Sequence, residues 1–178
     1  MTALDRHTLT IPLVITLRTA TPDDLPKLEW YGQYAHFRNL FHRAFHEQQR
    51  GKRCMLLADS NNFPIGHIFI QFLEPDPTHE HPDGRGYLYA FRVMEMFRGY
   101  GIGTQLLLAA ENLIRQRDLT WATIAVAKEN RRAQQLYERL GYQVTGDDEG
   151  RWQYLDHQGK IRQVHEPCWL LRKQVSLR

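Results

Sequence analysis

Three glycines fall within five residues, between a segment that is typical of a strand and one that is typical of a helix. The stretch RGYGIGTQL, residues 98–106, contains Gly99, Gly101 and Gly103 and leads into the helix-favouring run TQLLLAAENLIRQRD. Glycine accepts positive φ angles and lets a ligand approach the backbone closely. The first N–H groups of a helix have no internal partner, and the helix dipole adds positive charge there. This position favours a phosphate site over a hinge or a plain turn, although a glycine-rich connector without a ligand stays open on spacing alone.

Two well-known kinds of phosphate loop do not match this stretch. No Gly-Lys-Ser or Gly-Lys-Thr follows the glycines, which disfavours a P-loop nucleotide site. The spacing GYGIGT is not Gly-x-Gly-x-x-Gly, and no acidic residue closes the next strand, WATIAVA, which disfavours a dinucleotide fold.

The order of elements along the chain indicates an α+β domain around one mixed sheet. Runs of adjacent strands are typical of hairpins, whereas strand–helix–strand segments need parallel crossovers. Strands are expected at 11–20, 54–59, 66–73, 86–96, 121–127, 142–147 and, within 151–175, on both sides of an HQG turn. Helices are expected from Pro22, with Thr21 as N-cap, and at 37–49, 104–118 and 130–141.

Composition limits the classes of partner. The chain has 178 residues, 42% of them hydrophobic, and a formal net charge of only +3, which argues for one domain and against nucleic acid as the main partner. The first residues lack the apolar core of a signal peptide, and no apolar run approaches the roughly 20 residues of a membrane helix. We therefore expect a soluble, cytoplasmic protein without a membrane partner.

Cysteine and histidine spacing does not indicate a metal site. Cys54 and Cys168 lie far apart in apolar contexts and are expected to be buried free thiols. His42 and His46 are four residues apart, and THEH at 78–81 adds two more histidines, but no third ligand with zinc spacing accompanies them. We expect no metal.

Two motifs resemble the GNAT superfamily of acyl-CoA-dependent acetyltransferases. VMEMFRGYGIGTQL is similar to its acyl-CoA signature, a strand ending in Val followed by Arg-x-x-Gly-x-Gly/Ala at the start of a helix. KENRRAQQLYERLGYQV is similar to its Asn-x-x-Ala-x-x-x-Tyr-x-x-x-Gly-[Phe/Tyr] segment. The resemblance covers about residues 15–173 within a single domain, 1–178. It implies a mixed, mostly antiparallel twisted sheet of about seven strands, splayed in the middle and flanked by about four helices.

The resemblance implies that acetyl-CoA is the co-substrate. In the family, the strand before the glycines is splayed from its neighbour, and its free backbone groups pair with the pantetheine arm, a form of strand addition. Phe91, Arg92 and Val93 occupy those positions. The pyrophosphate loop would comprise Arg98, Gly99, Tyr100, Gly101, Ile102, Gly103 and Thr104. Tyr100 stands where Lys or Arg is common, so a positive charge expected near the phosphates is absent at this position.

The second motif implies further roles, each with a purely structural alternative. Asn130 would bind the pantetheine arm, Ala133 would let the cofactor come close, and Tyr137 would protonate the leaving CoA thiolate as general acid. From the residues alone, Asn130 equally suits a helix N-cap, Ala133 suits ordinary helix propensity, and Tyr137 suits a packed core position.

The implied reaction is direct attack of a neutral amine on the thioester through a tetrahedral intermediate. Some family members carry a glutamate base five residues before the motif's Asn, but Ala125 stands there in this chain. Glu95 is the candidate base instead. Possible proton relays in the loop before the splayed strand are Glu74, Asp76, His79, His81 and Asp83. An acceptor pocket would draw on Tyr31, Tyr34 and Phe37, and the acidic loop would attract an amine.

The sequence thus predicts an N-acetyltransferase that transfers an acetyl group from acetyl-CoA to a primary amine of a small molecule or a peptide. The alternative is a non-catalytic CoA-binding or sensing module with the same fold, because the base is not assigned. A monomer and a homodimer are both compatible with the sequence. Neither the acceptor amine nor the preferred acyl chain length follows from it.

Overall fold

A seven-stranded sheet runs through the molecule, and a separate two-stranded hairpin stands beside it. The computed structural model describes residues 10–76 and 84–175. Its strands are β1 (Thr16–Thr19), β2 (Arg53–Ser60), β3 (Phe63–Leu73), β4 (Arg85–Val93), β5 (Trp121–Ala127), β6 (Gln143–Asp148), β7 (Arg151–Leu155), β8 (Ile161–His165) and β9 (Cys168–Gln174). Its α-helices are α1 (Arg38–Gln49), α2 (Ile102–Arg115) and α3 (Arg131–Arg139).

The sheet is mixed and mostly antiparallel, as predicted. The strand order is β1-β2-β3-β4-β5-β9-β6, and the hairpin consists of β7 and β8. Every neighbouring pair in the seven-stranded sheet is antiparallel except β4 and β5. That parallel pair is joined by the crossover through α2, as a strand–helix–strand segment requires.

The sheet opens between β4 and β5. The two strands pair only over Arg85–Leu88 and Trp121–Ile124. Beyond that point β4 stays paired with β3, and β5 stays paired with β9. The β3–β4 register shifts between His67 and Phe69, and Ala90 on β4 has a left-handed φ of 48°. Such a bulge bends a strand and increases its twist, which explains why β4 leaves β5 here. The predicted splay is confirmed.

Two apolar layers cover the faces of the sheet. Side chains alternate along β2, so that Leu56 belongs to the core under α2 while Leu57 belongs to the core under α1. Leu106 and Ile114 of α2 and Tyr137 of α3 complete the first core. One helix therefore lies on one face, and two lie on the other.

The prediction of a helix beginning at Pro22 is wrong. The structure has short 3-10 turns at Pro22–Asp24, Lys27–Glu29 and Ala35–Phe37 in its place. Thr21 does stand at the N-cap of the first turn, where its N–H and hydroxyl both donate to the Asp24 carboxylate in a capping-box arrangement. Pro26 then lacks the N–H that a continuing α-helix needs. Trp30 takes a left-handed φ of 45°, and its indole N–H donates to the Pro64 carbonyl.

No helix in the described part of the chain combines the length and the apolar character that crossing a membrane requires.

Candidate active site

Two cavities meet where β4 and β5 separate. One, of about 690 Å³, lies between the glycine stretch, β4, β5 and α3, and we call it the loop cavity. The other, of about 660 Å³, lies between α1, β4 and the β7–β8 hairpin, and we call it the hairpin cavity. Six residues line both cavities: Tyr89, Ala90, Arg92, Ala125, Ala127 and Glu166. Because the cavities share these walls, a group held in one lies next to a group held in the other.

The glycine stretch forms the end of the loop cavity. Gly101 has a φ of 84°, a left-handed angle that favours glycine, and it is the N-cap of α2. A β-carbon at Gly103 would lie 3.3 Å from the Phe91 ring, so a side chain at this position would force that ring to move. Arg98 Nε donates to the Val93 carbonyl at 2.9 Å and ties the loop to the end of β4. The helix begins at Ile102, two residues earlier than predicted, so its unpaired first-turn N–H groups belong to the loop itself.

The structure brings together all the predicted cofactor-site residues except one. Those that line the loop cavity are Phe91, Arg92, Val93, Arg98, Gly99, Gly101, Ile102, Gly103, Thr104, Asn130, Ala133 and Tyr137. Tyr100 lies outside both cavities and is 80% exposed. It stands between two glycines with left-handed backbone, a turn that carries its side chain to the surface.

Asn130 and Ala133 meet through a capping hydrogen bond. The Asn130 side-chain oxygen accepts from the Ala133 N–H at 3.1 Å, so Asn130 caps α3. Capping uses the carboxamide oxygen and leaves the amide nitrogen to other partners. The structural alternative for Asn130 is therefore present in the fold, and it is compatible with a role in the loop cavity.

Tyr137 lies in the wall of the loop cavity and is also part of the core. Its side chain is 4% exposed, with its ring 6.3 Å from that of Phe91 and 5.9 Å from that of Tyr142. Burial raises the pKa of Tyr137 above the ordinary tyrosine value. The hydroxyl consequently keeps its proton at neutral pH, which is the state that a proton donor needs.

Glu95 is not brought to the cleft. It lies in the exposed 3-10 turn Glu95–Phe97 and lines neither cavity. Glu166 is the carboxylate that lines both. It stands between β8 and β9, where its backbone N–H donates to the Gly150 carbonyl at 3.1 Å. Sequence reasoning missed Glu166 because nothing in the local pattern VHEPCW shows that this segment closes over a strand about 75 residues earlier.

The predicted acceptor residues divide into two kinds. Phe37 lines the hairpin cavity, and the Tyr34 ring stacks on it at 6.3 Å. Tyr31 lies outside both cavities, is 89% exposed and stacks on Phe63 at 5.5 Å. Its left-handed φ of 58° follows that of Trp30, and this turn directs Tyr31 away from the cleft.

The predicted proton relays and histidine pairs contribute little to the described site. Glu74 and Asp76 line neither cavity, while His79, His81 and Asp83 lie outside the described residues. Within residues 10–76 and 84–175, no group of three or more His, Cys, Asp or Glu side chains is arranged to hold a metal ion. Cys54 and Cys168 are buried free thiols, as predicted.

Comparison with known sequences places the chain in a family. The model of the acetyltransferase (GNAT) family matches residues 17–142. YycN, an uncharacterized N-acetyltransferase of Bacillus subtilis strain 168, is 33% identical over 81 residues, which are 46% of this chain and 49% of YycN. Mycothiol acetyltransferase of Thermobifida fusca strain YX is 34% identical over 85 residues, 48% of this chain and 20% of that protein. The matched segments thus cover half or less of each relative.

Solved structures share the fold. NAA60 of Arabidopsis thaliana in complex with acetyl-CoA superposes with a TM-score of 0.69 at 17% identity, covering 90% of this chain and 98% of that chain. The ribosomal-protein-S18-alanine N-acetyltransferase of Escherichia coli superposes with a TM-score of 0.69 at 18% identity, covering 93% and 96%. Because the family model spans well over half of the sequence and includes both motifs, this chain belongs to the acetyltransferase (GNAT) family.

Proposed function

We propose that this protein transfers an acetyl group from acetyl-CoA to a primary amine. The observation that carries the proposal is the meeting of two cavities at the splay between β4 and β5, one of them closed by a glycine loop at a helix N-terminus. Two substrates, one in each cavity, would meet at the residues that line both cavities. Family membership and the acetyl-CoA complex of NAA60 support the choice of donor.

The loop cavity fits acetyl-CoA. Its first-turn N–H groups at Ile102–Thr104 and the dipole of α2 suit a pyrophosphate. The part of β4 that has left β5, from Tyr89 to Val93, offers backbone groups to an extended amide-bearing arm. Acetyl-CoA would supply the activated acyl group, and the chain's own residues would orient it and move protons.

The proton transfers are assigned to two side chains. Glu166, which lines both cavities, accepts a proton from the acceptor ammonium and leaves a neutral amine. As the amine nitrogen bonds to the thioester carbon, backbone N–H groups of β4 stabilise the oxyanion. Tyr137 then donates its proton to the departing thiolate as the carbon–sulfur bond breaks. The new amide nitrogen releases its extra proton to the Tyr137 oxygen, which restores the hydroxyl, and Glu166 returns its proton to solvent. Glu166 replaces Glu95 in this role because Glu95 lies outside the cleft.

The acceptor is a primary amine of a small molecule or a peptide. Structural neighbours include NAA60 and the ribosomal-protein-S18-alanine N-acetyltransferase, and Naa50 of Arabidopsis thaliana is seen with a bisubstrate analogue, CoA-Ac-MVNAL. These examples support a peptide amine as one acceptor to test. A cytoplasmic location and a monomeric or homodimeric state stay predictions from the sequence.

Calorimetry with acetyl-CoA tests the donor site. We expect binding in the micromolar range, weakened at least about tenfold by Gly101→Glu, because this change strains a left-handed position and places a carboxylate beside the phosphates. Gly146→Glu is the matched control, since Gly146 also has open space around it but lies on exposed β6 away from both cavities. Absence of binding by the wild type refutes the proposal.

A thiol-release assay with a panel of amines tests the chemistry. Release that depends on an amine shows acetyl transfer. Acetyl-CoA binding without release from any amine would instead favour the non-catalytic binding or sensing module. Glu166→Gln should lower kcat most at low pH, where less neutral amine is available. A kcat for Glu166→Gln equal to that of the wild type across pH removes Glu166 from the mechanism.

A further inference from the structure

Arg92 carries a positive charge into the place where the two cavities meet. Side chains alternate along β4, so Phe91 contacts the α3 side while Arg92 lies on the α1 side. Its guanidinium lies 4.8 Å from the centre of the Tyr34 ring and 5.1 Å from that of Phe37. The two rings are themselves stacked, at 6.3 Å with planes 9° apart. The arginine head, which lines the hairpin cavity, is therefore held between the Phe37 ring of the cavity wall and the Tyr34 ring stacked behind it.

Arg92 differs from the other arginines of the hairpin cavity because none of the residues that the structure describes gives it a carboxylate partner. Arg43 and Arg53 pair with Glu47, Arg53 also donates to the Tyr89 hydroxyl, and Arg151 pairs with Glu149. Among residues 10–76 and 84–175, no carboxylate oxygen lies within ion-pair distance of Arg92. Aromatic faces attract a cation but supply much less stabilisation than a carboxylate.

The neighbours of Arg92 do not neutralise it. His67 pairs with it in the β3–β4 register and is fully buried, and both of its ring nitrogens are without a hydrogen-bond partner in the described structure. Burial, with a smaller contribution from Arg92, lowers the pKa of His67, so this ring is neutral. Glu166 is exposed and acts on Arg92 only from beyond ion-pair distance. The half-buried Arg92 side chain thus lines the hairpin cavity with one hydrogen bond to Tyr34 and, among the described residues, no carboxylate partner.

We propose that Arg92 binds a carboxylate of the acceptor, so that the acceptors are amines that carry a carboxylate group. A guanidinium is planar and presents paired donors that match the two oxygens of a carboxylate. The same cation favours the neutral form of an amine held close to it, which is the form that attacks a thioester. This assignment rests on the proposed function and names the substrate class of the same site.

Matched ligand pairs test the subsite without requiring turnover. The probes are ω-amino acids from glycine to 6-aminohexanoate and the corresponding amides, titrated by calorimetry into protein saturated with CoA. We expect at least one carboxylate to bind at least about tenfold more tightly than its amide, the range of a charge-assisted pair. Arg92→Gln should abolish that preference, and Arg92→Lys, which keeps the charge without the fork, should retain part of it.

A control variant and a competing explanation complete the design. Arg50→Gln removes an exposed guanidinium outside both cavities and should leave the preference unchanged. If Glu166 instead moves within ion-pair distance of Arg92 and neutralises it, the wild type binds carboxylates and amides equally, whereas Glu166→Gln prefers carboxylates. That result overturns the proposal. Equal binding of every pair by the wild type also overturns it. Thermal melts check that each variant is folded. If Arg92→Gln does not fold, the difference in affinity between carboxylates and amides for the wild type decides whether the subsite exists.

The two proposals fail in different ways. A carboxylate preference that depends on Arg92, without amine-dependent thiol release, supports the subsite and refutes acetyl transfer. Amine-dependent release with equal kcat/KM for each carboxylate and its amide supports acetyl transfer and refutes the subsite.

Discussion

Replacing Tyr137 with phenylalanine removes the proposed proton donor and little else. The Phe ring keeps the contacts at 6.3 Å with Phe91 and 5.9 Å with Tyr142. Because the side chain is only 4% exposed, water has poor access to the vacated position. General acid catalysis contributes about 10² to 10⁴ in rate. An ordinary thiol has a pKa of about 8.5, so a thiolate is a good leaving group that needs little protonation. The lower end of that range of rate contributions therefore applies. We expect kcat to fall about 100-fold, which is about 2.7 kcal/mol of activation free energy.

The assay is steady-state thiol release at saturating acetyl-CoA, with acetyl-CoA affinity measured separately by calorimetry. Affinity should change less than about threefold, since aromatic packing is retained. Tyr142→Phe is the matched control, because it deletes a buried hydroxyl on the neighbouring ring that lines neither cavity, and its kcat should equal that of the wild type. The raised pKa of Tyr137 also predicts that it causes no alkaline fall in kcat below about pH 10.

Two results would refute this reasoning. One is a kcat for Tyr137→Phe within about threefold of the wild type when a single-turnover experiment shows that chemistry limits the rate. The other is an equal loss in Tyr142→Phe, which would mean that the core tolerates neither change and that the Tyr137 hydroxyl has no special role.

Three further predictions concern stability and the cysteines. Lys173→Met should reduce the free energy of unfolding, measured in urea, by about 3–5 kcal/mol. The change leaves the carboxylate of Glu111, which is 3% exposed and 2.7 Å from Lys173 Nζ, without its ion-pair partner. A loss below about 1 kcal/mol contradicts this prediction, and the double variant Lys173→Met/Glu111→Leu should recover most of the lost stability. Burial opposes ionisation of Asp24, but hydrogen bonds from Arg18 and from the start of its own turn lower its pKa to about 2. Because the pKa of Asp24 is lower in the folded than in the unfolded chain, its carboxylate stabilises the fold above about pH 4. The free energy of unfolding should therefore fall by about 2 kcal/mol as the pH is lowered to about 2, and Asp24→Asn should not show this loss. Burial raises the pKa of Cys54 to about 11, so a thiol reagent at pH 8 should modify it only at the rate of unfolding, and fast modification of the native protein would contradict its burial.

Most elements were predictable because their signals are local. Hydrophobic periodicity indicated α1, α2 and the buried strands, and glycines marked the start of α2 and the end of α3. The N-terminal helix was not predicted correctly, although Thr21 and Pro22 form a genuine start. Pro26 then interrupts the segment, and Trp30 is drawn into the core with its indole bonded to Pro64. Long-range packing overrode a good local start signal.

Positions of side chains in the site were less predictable than the elements that carry them. Glu95 and Tyr31 were chosen for their chemistry and their place near the motifs, yet both are exposed outside the cleft. Short turns can direct neighbouring side chains to opposite sides, and sequence spacing does not show which. Glu166 carried no motif at all and reaches the cleft because the segment before β9 closes over β4.

The sequence by itself determined the family, the order of strands and helices and the glycine loop, because each depends on residue types at short, regular spacing. Only the tertiary structure decided which charged groups meet at the opening between β4 and β5. That opening depends on a bulge at Ala90 and on β9 pairing with both β5 and β6, contacts between segments far apart in the chain. The bulge and the alternation along β4 together place Phe91 toward α3 and Arg92 toward α1. One strand can therefore serve two cavities with adjacent residues.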